Sequence, residues 1–386
     1  MKKIACFLFS LAFLMSCTEE PKKVDVTVQN PGDFDRTSDM VELSVNDVKS
    51  KLTASDTSNY IVTNAAGEVI PSQITSDGKL IFQAGVKSGE TVAYTVRTGP
   101  KQEYKAQTYG RFITERKDDF AWENDRVAFR AYGPALVEID GPSNGFDLWF
   151  KRTPEMVIDK WYKNDLAGVA SYHADHGEGL DDYKVGRTLG GGAMAPYVGN
   201  KLWLNQNFAS QEVLDNGPLR TTFKLTYKDI DVDGKIFSES RTVSIDAGSQ
   251  LSKVTQEYGT SESIPVAAGI VKRASGDSII VASDKTFLVY MEPKTDNVEG
   301  IYIGLVFPEG MKDSTTDTYK IKNDKTKKED SYSHVLGVVD YQPNKPVTYY
   351  TGYGWDKYGF ANESEFVTYL ENFVKALKQP LVVDIK

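Results

Sequence analysis

Short runs of alternating apolar and polar residues recur along almost the whole chain and predict β-strands. Residues 24–28 (VDVTV) and 41–45 (VELSV) come first. Residues 60–63, 68–70, 79–82 and 91–97 follow, punctuated by the turns Asn64–Gly67 and Ser76–Gly78. Together they predict a small β-sandwich over 24–100. Gly99-Pro100 and the polar run 101–107 then separate it from a longer series. In that series, residues 126–132 alternate so that Val127 and Phe129 share one face and Arg126, Arg130 and Tyr132 the other. Strand patterns continue at 145–152, 201–208, 219–230, 235–245, 251–258, 264–271, 278–281, 286–290, 301–307, 331–341 and 347–352, with Asp233-Gly234 turning a hairpin. Only near the end does the period change. Phe366, Tyr369, Leu370, Phe373, Val374 and Leu377 recur at helical spacing behind Asn362, with Glu365 placed for a capping box. The expectation is an all-β protein: a small sandwich, then a large antiparallel supersandwich over 108–386, closed by one helix.

Composition narrows the partners. The net charge of −9 argues against nucleic acid, while leaving room for a local basic pocket. Two cysteines, Cys6 and Cys17, both precede the first predicted strand, so the body carries no disulfide and no thiolate nucleophile. Lys2 and Lys3, the apolar run 4–15 and Leu14-Met15-Ser16-Cys17 read as a lipoprotein signal over 1–16. Cys17 would be lipidated, and 17–23 would tether the body to the outer membrane, on its periplasmic or cell-surface face. Gly-rich phosphate loops and nucleophile elbows are missing.

Chemistry is concentrated in residues 171–192, SYHADHGEGLDDYKVGRTLGGG, which hold two of the three histidines, His173 and His176. Asp175, Glu178, Asp181, Asp182, Tyr183, Lys184 and Arg187 surround them. Glycines between them let the backbone turn and approach a ligand, and a loop this dense in titratable groups is a candidate site. A second dense stretch, 115–126 (ERKDDFAWENDR), is expected to wall a cleft in which arginines hold an anion and Trp122 stacks on a sugar.

These two stretches, with Gly145–Trp149 (GFDLW) and Gly217–Arg220 (GPLR), resemble a lipoprotein family encoded in polysaccharide-utilisation loci of Bacteroidetes, domain of unknown function 4861. The resemblance implies a galactose-mutarotase-like sandwich. Through a flavobacterial ulvan oligosaccharide dehydratase it also implies an activity: water is removed from a non-reducing-end glucuronate or iduronate, giving a 4,5-unsaturated uronate.

That reaction is a β-elimination of H5 and the 4-hydroxyl. It requires cations for the carboxylate, a base and an acid. Arg116, Arg130 and Arg187 are the candidate cations. His173 and Tyr183 are the candidate base and acid, since imidazole titrates nearest neutrality. Trp122, Glu123, Asn124, His176 and Asp182 are candidate substrate contacts. A divalent metal on His173, Asp175 and His176 is the alternative to the arginine clamp, which the three arginines favour. His334 reads as structural. A polysaccharide lyase working by the same elimination, a non-catalytic glycan-binding lipoprotein and a sugar epimerase remain as rival readings.

Overall fold

The computed structural model describes residues 23–52, 59–322 and 327–386. The proposed signal, Cys17 and most of the tether lie outside the described residues. Among those described, no helix is long and apolar enough to cross a membrane.

The protein is all-β, as the alternation predicts. In the N-terminal sandwich, one sheet runs in the order Val382–Ile385, Lys23–Gln29, Thr91–Thr98, Tyr60–Asn64, Val69–Ile70. Its partner runs Arg36–Ser44, Lys79–Val86, Ser72–Ile74. Val24, Val26 and Val28 point inward against Leu80, Phe82 and Val86, as a period of two requires. The helix Val45–Leu52 adds Val48 and Leu52 to that core. The final strand, Val382–Ile385, returns from the far end of the chain to pair with Lys23–Gln29, so this sandwich is completed by residues beyond position 100.

The larger part is a supersandwich. One layer is a nine-stranded antiparallel sheet that includes Arg220–Thr226, Lys235–Asp246, Leu251–Gly259, Val347–Trp355 and Ile301–Val306. Two five-stranded sheets share the facing layer. The first is ordered Gly179–Leu180, Phe146–Lys151, Ala128–Ala131, Asp119–Asn124, Thr108–Ile113. The second is ordered Lys201–Leu202, Gly191–Val198, Ile264–Val271, Glu329–Tyr341, Asp313–Lys322. A bridge from Phe146 to Gly190 ties the two together. One continuous core, from Phe120, Trp122 and Phe129 through Phe223 and Val243 to Tyr353 and Leu336, fills the space between the layers.

The C-terminal helix Glu363–Lys378 packs on the other face of the nine-stranded sheet through Phe366, Leu370 and Val374. Its cap forms, with the glutamate reaching one residue further back than a strict capping box: Asn362 Oδ1 accepts from the Glu365 N–H at 3.1 Å, and Glu365 accepts from the Ala361 N–H at 2.8 Å. The helix Ile158–Leu166, which the strand-dominated pattern hid, covers the outer face of the first five-stranded sheet with Trp161 and Tyr162. That sheet is therefore buried on both sides.

Candidate active site

Burial on both sides explains the unusual composition of the first five-stranded sheet. Phe120, Trp122, Phe129, Phe146, Leu148 and Phe150 face the main core. The alternate positions, Asp119, Glu123, Arg130, Asp147, Trp149 and Lys151, face outward, yet each is at most 2 % exposed. Their charges must be paired. Lys151 Nζ meets Glu123 at 2.8 Å with both side chains fully buried. Glu123 also accepts the Val157 and Ile158 N–H groups at 2.8 Å, capping the start of the covering helix.

Arg130 forms the centre of a second cluster. It sits directly across from Asp147 in the strand register. Its Nη2 lies 2.6 Å from Asp147 and 2.9 Å from Asp181. The guanidinium is enclosed by the rings of Tyr132, Trp149 and Tyr172, whose centroids stand 5.0, 5.3 and 5.8 Å from its carbon. Burial opposes its charge, but the two carboxylates outweigh burial and hold its pKa well above the ordinary value. Burial, and then Asp181, raise the Asp147 carboxyl to about 8. Burial also raises Asp119, against the pull of Arg130 and Arg116.

The two charged stretches of sequence meet at this cluster. Arg116 Nε donates to the Tyr172 hydroxyl at 3.0 Å, and its Nη1 donates to Asp119 at 2.6 Å. His173 Nδ1 lies 2.9 Å from the Asp181 carbonyl and 3.7 Å from the Asp181 carboxylate. Its ring leans on Tyr172 at 4.5 Å. With Nδ1–H donating to the carbonyl, Nε2 is the free acceptor on a side chain that is 60 % exposed. The Arg116 side chain is 24 % exposed, so a partly accessible cation and an exposed imidazole both contact Tyr172, whose ring lies against the buried Arg130.

Two glycines permit the approach. A Cβ on Gly133 would stand 1.8 Å from the Asp118 carbonyl oxygen, where the Arg116 turn folds back on the strand. Gly179, at φ +113°, lies so close to Phe150 that a Cβ would meet the Phe150 carbonyl at 1.9 Å. Its lack of a side chain lets Gly179–Leu180 join the sheet and aims Asp181 at Arg130.

Several expected site residues lie elsewhere. Trp122 is fully buried and stacked on Phe129, with Nε1 donating to Ser252 at 3.0 Å, so it has no face for a sugar. Glu123 is taken up by Lys151 and the helix start. Asn124 is a turn residue: Oδ1 accepts the Arg126 and Val127 N–H groups, and Nδ2 donates to the Asp246 and Ser249 carbonyls. Tyr183 is buried away from Arg130, donating to the Gly190 carbonyl at 3.0 Å beside Arg273. Arg187 neighbours Tyr319 and Tyr332 on the second five-stranded sheet. Asp182 accepts from Thr295 at 3.2 Å.

The metal candidates diverge. His176 Nε2 faces the Ser171 carbonyl at 3.1 Å, while Asp175 caps the Gly177 and Gly179 N–H groups and pairs with Arg152. Among the described residues no group of three His, Cys, Asp or Glu side chains is arranged to hold a metal ion. His334 is buried and accepts the Leu189 N–H at 3.0 Å, and burial pushes its pKa down to about 3, so it stays neutral. Asp147, Asp181, Tyr132 and Tyr172 are the members of the cluster that sequence reasoning left without a role. Charged residues alternating with Phe146, Leu148 and Phe150 were the available signal for a covered polar face.

A sequence profile described as "Domain of unknown function (DUF4861)" matches residues 28–383. The chain belongs to this family. One relative, "Uncharacterized protein P7" of Formosa agariphila, is 28 % identical over 399 residues, covering 98 % of each chain. Among solved structures, an α-mannosidase from Enterococcus faecalis V583 covers 95 % of this chain at 9 % identity and a TM-score of 0.48, and this chain spans 46 % of it. A heparinase III, the BT4657 gene product, covers 69 % at 12 % identity and a TM-score of 0.36, with 38 % of its own chain spanned.

Proposed function

We propose that this family member is a glycan-processing lyase that removes water from a non-reducing-end uronate, with the Arg116–Arg130–His173 cluster as its site. One observation carries the proposal: an exposed imidazole, held through Nδ1 by Asp181, stands beside guanidiniums contributed by a stretch more than forty residues earlier in the chain. Elimination α to a carboxylate needs that pairing. Arg116 is the accessible partner for the substrate carboxylate, and Arg130 beneath it fixes Asp181 and adds positive charge. His173 Nε2 takes H5, and the electrons of the C5–H bond become the C4=C5 double bond. The C4–O bond breaks as the 4-hydroxyl leaves with a proton as water. Tyr172 replaces Tyr183 as the proposed acid. Its oxygen accepts from Arg116, which leaves its own O–H free to donate.

The test is to incubate the body lacking residues 1–17 with saturated uronate-capped oligosaccharides and weigh the products. A product one water lighter, absorbing as an unsaturated uronate, supports the proposal. Shortened chains would assign a polysaccharide lyase, and retention of the glycan without turnover would assign a binding protein.

A further inference from the structure

On the other side of the Asp181–Lys184 segment from Arg130 lies a separate cavity of about 350 Å³. Its floor is apolar: Phe150, Val298 and Ile301, with the Tyr183 ring. Its wall is the loop joining strands Phe287–Met291 and Ile301–Val306, where Thr295, Asp296 and Asn297 are exposed. We infer that this cavity is a second carbohydrate site, specific for an uncharged sugar residue, beyond the elimination proposed above.

Three features support this inference. The volume of about 350 Å³ lies at the small end of ligand pockets, which run from about 300 to 1,000 Å³, and suits one or two rings rather than a long chain. The lining combines an apolar platform with carboxylate, amide and hydroxyl groups, the pairing that matches a pyranose with its C–H face and its ring of hydroxyls. The charge selects against anions. Lining carboxylates at Asp182, Glu292, Asp296 and Glu299 outnumber the cations Lys184 and Arg273. Arg273 is moreover consumed: its Nη2 is 2.8 Å from Glu292, its Nη1 donates to the Lys184 carbonyl at 2.9 Å, and its guanidinium lies 5.0 Å over the Tyr183 ring. Glu299 is likewise paired, with Lys294, so an incoming carboxylate or sulfate meets Asp182 and Asp296 against Lys184 alone among the lining cations.

The wall is also prearranged. Thr295 Oγ1 donates to Asp182 at 3.2 Å and accepts the Val298 N–H at 3.0 Å, which ties the loop to the segment whose other face holds His173. A sugar bound there needs no loop ordering, so little conformational entropy opposes binding.

The experiment is equilibrium binding without turnover. Saturation-transfer NMR is run on the body lacking residues 1–17 with methyl glycosides of neutral pentoses and hexoses, and with the matching methyl glucuronide and galacturonide. Neutral glycosides should bind, and the uronides should compete at least tenfold more weakly. Asn297→Trp, an exposed wall position whose new ring fills the cavity, should weaken neutral binding at least tenfold with an unchanged melting temperature. Asp182→Ala should weaken it also. If no neutral glycoside binds, if binding survives both variants, or if the uronides displace the neutral ligands, the inference is overturned. Because no chemical step is measured, failure here is distinct from failure of the elimination.

Discussion

Removal of the buried cation at the centre of the site should be costly, and the cost should depend on pH. Arg130→Met keeps the volume and much of the packing against Trp149 and Tyr172, but leaves Asp147 and Asp181 facing each other without a counter-charge. Each contact, at an effective dielectric of about 20, is worth about 4 kcal/mol before desolvation. Breaking a buried pair by removing one partner costs about 3–5 kcal/mol in practice, because a charge is stranded. The cost has an upper bound, since the stranded Asp147 can take up a proton. Asp147 is already raised to about 8 by burial and by Asp181, and loss of Arg130, which pulls it down, raises it further. Below about pH 8 the folded Asp147 carboxyl is neutral with or without Arg130, so its ionisation adds nothing to the loss at pH 5. Above about pH 8 the native protein must hold an ionised Asp147 that Arg130, more than Arg116, compensates, and the loss is greatest. Urea unfolding followed by tryptophan fluorescence, at pH 5 and pH 8.5, measures this directly. A loss below about 1 kcal/mol at pH 8.5, or the same loss at both pH values, would refute the reasoning.

Three further outcomes follow from the same sheet. Asp147 has a folded pKa raised above its unfolded value, so the stability it contributes is present at low pH and lost as pH rises from about 4 through about 8; Asp147→Asn should flatten that decline in urea titrations across the range. Lys151→Met strands Glu123 in a fully buried position and should cost about 3–5 kcal/mol by urea midpoint, whereas breaking the surface pair of Lys105 with Glu155 should leave the midpoint unchanged. Trp122→Phe should cost about 1–3 kcal/mol through the lost Ser252 hydrogen bond and lost volume, yet leave the KM for oligosaccharide unchanged, because the ring touches only core.

The fold was legible where burial falls on one face. Strands such as Lys23–Gln29 and Lys235–Asp246 alternate cleanly, and the C-terminal helix announced itself through its cap and its aromatic stripe. Asp313–Lys322 escaped because it is an edge strand whose polar residues occupy both faces, leaving no period to detect. The site was legible in part. The dense charge of the stretches around Arg116 and His173 marked them correctly as neighbours. Within them, Trp122, Glu123 and Asn124 look like an open, polar run only until a covering helix is known. That cover comes from residues 158–166, and nothing local to 119–124 reports it. Tyr183 and Tyr172 lie in the same loop, and the local sequence does not tell which of them faces the arginines. Only the turn at Gly179, which aims Asp181 at Arg130, decides which phenol meets the arginines.

The central claim is that His173 removes H5 from a bound uronate. It is tested most directly by mass spectrometry of products from an oligosaccharide whose terminal uronate carries deuterium at C5. The wild-type protein should release the label, leaving an unsaturated product without deuterium, and should turn over more slowly than on the unlabelled sugar. His173→Ala, at a side chain 60 % exposed, should stay folded and give no product. Retention of the deuterium in the product, or undiminished turnover by His173→Ala, would contradict the account.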